Sequence, residues 1–167
     1  MKHFATLTFA LFIAVAVPGF LSAQGADIAF GGLSHDTSLP VELSADELSI
    51  NQADGTAKFV GNVVIGQGDM RITAGLVLVE YASSDDATGE ISRLVLSGGV
   101  VLVNGAEAAE AAEAIYSIAT GEIVMTGGVI LTQGRNALSA DRLVVNLREG
   151  TGRMVGRVKS IIQTGGN

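Results

Sequence analysis

A chain of 167 residues that is 48% apolar and only 16% charged fits one domain with a sizeable core, which excludes intrinsic disorder. It contains no cysteine, and so has no disulfides, thiolate metal site, cysteine nucleophile or lipoprotein acylation site. Acidic residues outnumber basic ones 17 to 10, which argues against nucleic acid as a partner. Aromatic content is 5%, there is no Trp, and Val, Ile, Leu, Gly and Ala dominate, a mixture that suits strands and tight turns better than a helix bundle.

Residues 1–23 read as an export signal. Lys2 supplies the positive end, Phe4 to Val17 is apolar, and Pro18-Gly19 breaks the run before Leu21-Ser22-Ala23, with cleavage expected after Ala23. The alternative is a retained membrane anchor, although the apolar run is shorter than the ~20 residues a spanning helix needs. Residues 24–40 follow as an N-terminal linker, where His35 and Asp36 are expected to be solvated. Charge is unevenly spread beyond the signal. Residues 24–134 carry Lys58, Arg71 and Arg93 against 15 acids, whereas residues 135–167 carry six basic residues against Asp141 and Glu149.

From residue 41 to 163 the chain repeats itself, leaving 164–167 as a tail. LSADELSINQADGTAKFVGNVVIGQG from Leu43 parallels LSADRLVVNLREGTGRMVGRVKSIIQ from Leu138. Ala45, Ala74, Ala111 and Ala140 mark four units separated by 29, 37 and 29 residues, and the long second unit carries its extra residues mainly in the loop Ser83 to Ala87. Within units the apolar period is two, as in Val63 and Ile65, Val77 and Val79, Val100 and Leu102, and Val129 and Leu131. Asp54-Gly55, Thr88-Gly89, Thr120-Gly121 and Glu149-Gly150 are predicted turns, and Gly61-Asn62, Gly98-Gly99 and Gly127-Gly128 predicted bends or bulges. Each unit is expected to supply three to four strands of roughly 5–6 residues. Glu107 to Glu113, within EAAEAAEA, has strong helical propensity and is expected to form a loop or helical turn, with strand from Ala114 onward.

Catalytic chemistry is scarce. Beyond the signal His35 is the sole histidine, the carboxylates beside turn glycines are accounted for by turn chemistry, and no glycine cluster opens a helix as a phosphate loop must. No enzyme, metal or cofactor is expected. What remains is an elongated all-β stack whose interior is either an apolar groove or a sealed core.

The segment Ser34 to Tyr81, with F-x-G-N-V-x-I-x-Q-G at Phe59 to Gly68, resembles the opening of the periplasmic bridge proteins of lipopolysaccharide transport, the LptA (OstA-like) family. The closing stretch Leu138 to Gln163, with GRVKSII, is similar to their C-terminal strands. The resemblance implies a twisted β-jellyroll of stacked antiparallel strands, open along one side, that shields the acyl chains of lipid A in the periplasm. It also implies an LptC-like inner-membrane partner at the N-terminal edge, an LptD-like outer-membrane partner at the C-terminal edge, and head-to-tail self-association.

On this reading the groove is lined by Ile50, Phe59, Val63, Ile65, Val77, Val79, Val100, Leu102, Val129, Leu131, Val145 and Met154. Arg71, Arg93 and Arg135 are candidates for lipid phosphates, although the family usually carries more basic residues near the groove. Docking edges are expected at Val41 and Leu43, and at Val158, Ile161 and Ile162, in a final strand running Val155 to Ile162 with no protecting proline. Two other readings stay open: a membrane-anchored LptC-like component, and a structural β-solenoid module with a sealed core.

Overall fold

A period of two in apolar residues builds six long strands, each paired antiparallel with the next: β4 (Thr56–Gln67), β5 (Met70–Tyr81), β6 (Ile91–Asn104), β7 (Glu107–Ser117), β8 (Glu122–Gln133) and β9 (Asn136–Asn146). At one edge β2 (Glu42–Ser44) and β3 (Glu47–Asn51) are two halves of an interrupted strand, both paired with β4. At the other edge β10 (Thr151–Val155) and β11 (Lys159–Ile161) are two halves paired with β9. The four-residue β1 (Ala26–Ala29) lies beyond β10, so the N-terminal segment reaches the end of the sheet remote from β2 and β3. The sheet does not close on itself. The computed structural model describes residues 26–29, 34–51, 55–82 and 89–161; the expected export signal, Ile162 and the turn residues Asp54 and Thr88 lie outside them.

Three expectations are corrected. The strands are 11 to 14 residues long rather than short, because the paired glycines bend a strand without ending it. Glu107 to Glu113 belongs to β7: Ala109 and Ala111 face the core, Glu110 faces solvent, and pairing to both β6 and β8 overrides helical propensity. The stretch 24–40 is more than a linker, since it contributes β1 and a segment pinned by the hydrogen bonds described below.

The bend lies in one column of the sheet. Between the long strands the register shifts at Val60/Val63, Thr73/Leu76, Ser97/Val100, Glu110/Glu113 and Thr126/Val129. On β4, β6 and β8 two residues occupy the column, Gly61-Asn62, Gly98-Gly99 and Gly127-Gly128, and the same role falls to Gly156-Arg157 between β10 and β11. The intervening strands supply one residue each: Asp46, Gly75, Ala112 and Asp141. These are β-bulges, which bend a strand and sharpen its twist.

Both members of every pair have positive φ, for example 81° and 82° at Gly98 and Gly99. Space is as restrictive as angle at Gly127, where an added Cβ would sit 2.5 Å from the Ala112 Cβ. Among the described residues two non-glycine residues are held at positive φ, Asn62 at 45° and Arg157 at 43°, and each is tied to the facing aspartate. Asn62 Nδ2 donates to Asp46 Oδ2 at 2.8 Å, and Arg157 Nη2 donates to Asp141 Oδ1 at 2.7 Å.

Folding the sheet along this column brings its two halves face to face. A single flat sheet would leave its inner face wet, yet Ile65, Ile72, Leu102 and Leu131 in one half and Val79, Leu94, Ile123 and Leu143 in the other are 0–1% exposed. Beside the fold line large and small residues are matched: Val63 faces Ala74, Val100 faces Ala111, and Val129 faces Ala140. Valine sits on the strands with the extra residues and alanine on the tighter ones, so the crowded inside of the bend is filled without overlap.

Replacing Gly127 by Ala is expected to destabilise the protein by more than about 1 kcal/mol, read by urea unfolding, because the new Cβ meets both a disfavoured φ and Ala112. Hydrogen bonding and charge from Arg157 hold the Asp141 carboxyl below its ordinary value. The stabilisation from that pair is therefore full above the unfolded carboxylate value and fades as pH falls through the lower folded one. Asp141→Asn should lower the melting temperature slightly at neutral pH, and the two melting curves should converge in acid.

Candidate functional site

Residues directly opposite one another on paired strands share a face, so the register defines the inner surface as rows running across the sheet. In one half a row runs Ile65, Ile72, Leu102, Ala109, Leu131, Leu138. In the other half one row runs Phe59, Val77, Leu96, Ala114, Met125, Leu143, Met154, and a second runs Ala57, Val79, Leu94, Tyr116, Ile123, Val145. The expected lining residues Val63, Ile65, Val77, Val79, Val100, Leu102, Val129, Leu131, Val145 and Met154 are buried in one apolar cluster, with Phe59 partly buried against it. Ile50 departs from that interior placement. It pairs with Ala57 and so belongs to an inner row, but on the edge strand β3 nothing covers it and it is 66% exposed; Leu48, paired with Phe59, is 52% exposed.

Away from the fold line the two halves meet along a seam, and the contacts there are polar. Tyr116 Oη donates to Gln67 Oε1 at 2.6 Å, joining the end of β7 in one half to the end of β4 in the other. Both side chains are essentially inaccessible. Burial pushes the Tyr116 phenol above its ordinary value, so it stays a neutral donor. On the first lip the inner rows end in Asn104, Glu107, Gln133 and Asn136, with Gln133 Nε2 donating to Glu107 Oε1 at 3.0 Å.

Residues 34–39 lie across this seam as a strap. The His35 amide donates to Leu147 O at 2.8 Å on one lip, and Gln67 Nε2 donates to Thr37 O at 3.1 Å and Leu39 O at 2.8 Å on the other. Arg148 adds a bond from Nε to Thr37 Oγ1 at 3.1 Å, while its Nη2 donates to Ala119 O at 2.6 Å. Asp36 Oδ1 accepts from the Ser38 amide and hydroxyl, which makes the strap a local turn and holds the Asp36 carboxyl below its ordinary value. Glycines make room for it. A Cβ at Gly68 would lie 2.8 Å from Leu39 Cδ1 and 2.9 Å from His35 Cε1, and one at Gly121 would lie 3.0 Å from Thr37 Cγ2.

The arginines singled out by sequence are not gathered into one site. Arg71 bonds back to Gly68 O and Met70 O beside the β4–β5 turn, Arg93 is paired with Glu80 at 2.6 Å on the outer face, and Arg135 is exposed in the β8–β9 turn. Among the expected edge residues, Val41 and Leu43 pack partly against the core, whereas Val158 and Ile161 are exposed, Ile161 to 69%.

Sequence reasoning missed the Gln67–Tyr116 bridge, Arg148 and the strap. Gln67 has the same parity as Val63 and Ile65, and Tyr116 the same as Ala114, so a polar group on each apolar face was the available signal. Among the described residues no cluster of His, Asp and Glu could hold a metal ion.

The crystal structure of LptH from Pseudomonas aeruginosa, described as the LptA homologous periplasmic component of the conserved lipopolysaccharide transport device, is similar in fold, with a TM-score of 0.67 over 77% of this chain and 99% of that one at 16% identity. An uncharacterized protein of Rhizobium meliloti (strain 1021) is 29% identical over 105 residues, 60% of this chain and 56% of that protein, so the match spans little more than half of the relative. The family described as LptA/(LptD N-terminal domain) LPS transport protein matches residues 42–151, from the start of β2 to the start of β10, and the chain belongs to that family.

Proposed function

We propose that this protein is a periplasmic carrier that shields the acyl chains of lipopolysaccharide between the two halves of its bent sheet and passes them along a row of docked β-jellyrolls. The observation that carries the reading is the inner apolar face, which runs across the whole sheet and reaches solvent at the β3 edge through Leu48 and Ile50. Most residues of the inner rows are buried, so acyl chains are admitted when the halves part along the seam. Each CH₂ kept out of water is worth ~0.8 kcal/mol, a sufficient return for separating them. Arg71, Arg93 and Arg135 stand near the ends of strands, where lipid phosphates would emerge; they act separately rather than as one phosphate site.

The two edges are built to meet. The line β2–β3 and the line β10–β11 run in opposite directions, so one copy's first edge would pair antiparallel with another's last. Their segment lengths match, with three and five residues in β2 and β3 against five and three in β10 and β11. The bend column matches as well, since the two-residue position Gly156-Arg157 would face the one-residue position Asp46, continuing the alternation found within the sheet. Glu42, Asp46 and Glu47 on the first edge would face Arg153, Arg157 and Lys159 on the last, which favours head-to-tail over head-to-head docking. The same geometry fits an LptC-like partner at the N-terminal edge and an LptD-like partner at the C-terminal edge, each adding its own bent sheet.

A photo-activatable residue at Leu102 or Leu131 is expected to give lipopolysaccharide adducts in cells, while one at the outward-facing Thr132 gives none; equal labelling at all three sites would remove the carrier reading. Leu48→Asp with Ile50→Asp should abolish end-to-end association and leave the melting temperature nearly unchanged, because both side chains are exposed in the single copy. Neutralising Arg153, Arg157 and Lys159 should weaken association at low salt, with the difference vanishing near ~0.5 M salt.

A further inference from the structure

The last edge is not free in the isolated chain. β1 pairs with β10, placing Ala26 opposite Met154, Asp27 opposite Arg153, Ile28 opposite Gly152 and Ala29 opposite Thr151. That is the place a second copy's β3 would take. Continuing the inner rows through a junction puts Leu48 opposite Met154 and Ile50 opposite Gly152, since those residues end and begin the same rows. Ile28 of β1 therefore holds the register position that Ile50 of an incoming copy requires. β1 is also antiparallel to β10, as the incoming β3 would be.

Only four residues separate Ala29 from Ser34, where the seam strap begins. The strap is held by the His35–Leu147 bond on one lip and the Gln67 bonds on the other, and Leu147 lies in the turn that leads from β9 into β10. One short piece of chain thus covers both the strand on which a partner would dock and the seam through which lipid would pass. The buried His35 Nε2 has no hydrogen-bond partner in this closed arrangement, so the strap's seat is polar but imperfectly satisfied.

We propose that β1 (residues 26–29) and the strap (residues 34–39) act together as a cis-acting cap: β1 withholds the β10 edge from the β3 strand of a second copy, and its displacement loosens the strap, so that end-to-end docking and opening of the seam are coupled. The proposal rests on the docking reading above. β11 is left uncovered by β1, with Lys159 to Ile161 exposed, and gives an incoming copy a place to start before β1 is exchanged. Strand exchange of this kind replaces one set of ladder bonds by another, and the incoming edge, β2 with three residues and β3 with five, offers more pairing than the four residues of β1.

The test uses the exported chain, residues 24–167, beside two variants: one lacking residues 24–33, and a full-length one carrying Asp27→Pro and Ile28→Pro, which removes two amide donors from β1. Self-association is read by sedimentation velocity, and opening of the seam by hydrogen exchange at the His35 amide. Both variants are expected to associate about tenfold more tightly than the parent. In the parent, protection at His35 should fall as end-to-end complexes form. If the parent associates and both variants associate no more tightly, the cap is refuted. If His35 keeps its protection in the complexes, the coupling is refuted. If none of the three chains associates, the docking reading itself fails and the cap with it. The proline variant keeps the chain length intact, so a loss of folding on truncation leaves the question answerable.

Discussion

A single unclosed sheet must hide its own apolar face, and here it does so by folding along a line of bulges. Everything else in the molecule follows from that bend. It requires backbone at positive φ on every second strand, supplied by the glycine pairs and by Asn62 and Arg157. It requires small residues on the intervening strands, where Gly75 lies so near Gly98 that a Cβ would come within 3.1 Å of the Gly98 carbonyl oxygen. It also sets the Val–Ala pairs beside the fold line, whose volumes complement one another across the bend.

The middle and the ends of the column are chemically different. In the middle the close approach is between backbone and Cβ atoms, which only Gly and Ala satisfy. At the ends Asp46 and Asp141 occupy the corresponding positions and bond to Asn62 and Arg157. Polar residues suit the ends because the sheet there is open to water, and the ion pair can form without desolvating either group deeply. The seam opposite the fold line is the weaker side of the body. It is held by a handful of hydrogen bonds, each worth about 1 kcal/mol net, whereas the fold line is continuous backbone with a packed apolar layer behind it. A protein that opens would open there.

Much of this was legible in the sequence. The glycine pairs marked the bends and the period of two marked which residues share a face, although not which face is inner; ten of the twelve residues named as groove candidates are buried. What was not legible has identifiable causes. Gly-Gly punctuates a sequence in the same way whether a strand ends or merely bulges, so strand length was underestimated. The EAAEAAEA segment expresses helical preference locally, and only its neighbours β6 and β8 make it a strand. Ile50 follows the inner alternation faithfully; its exposure comes from being on the outermost strand, which no local pattern encodes. The strap joins residues 28 to 111 positions apart through side-chain bonds, and leaves no periodic trace at all.

The alternation of one-residue and two-residue positions along the column carries a parity rule. Leaving β1 aside, the described sheet has eight strand lines from β2–β3 to β10–β11, so this body begins with a line of one kind and finishes with a line of the other. An even count leaves the two ends complementary, and a chain lengthened or shortened by a whole hairpin keeps that property. Gain or loss of a single strand would make both ends alike, two bulged edges or two plain ones, and neither could continue the fold line of a neighbour. Size in this architecture is therefore quantised in hairpins, by geometry alone, before any particular cargo or partner is considered.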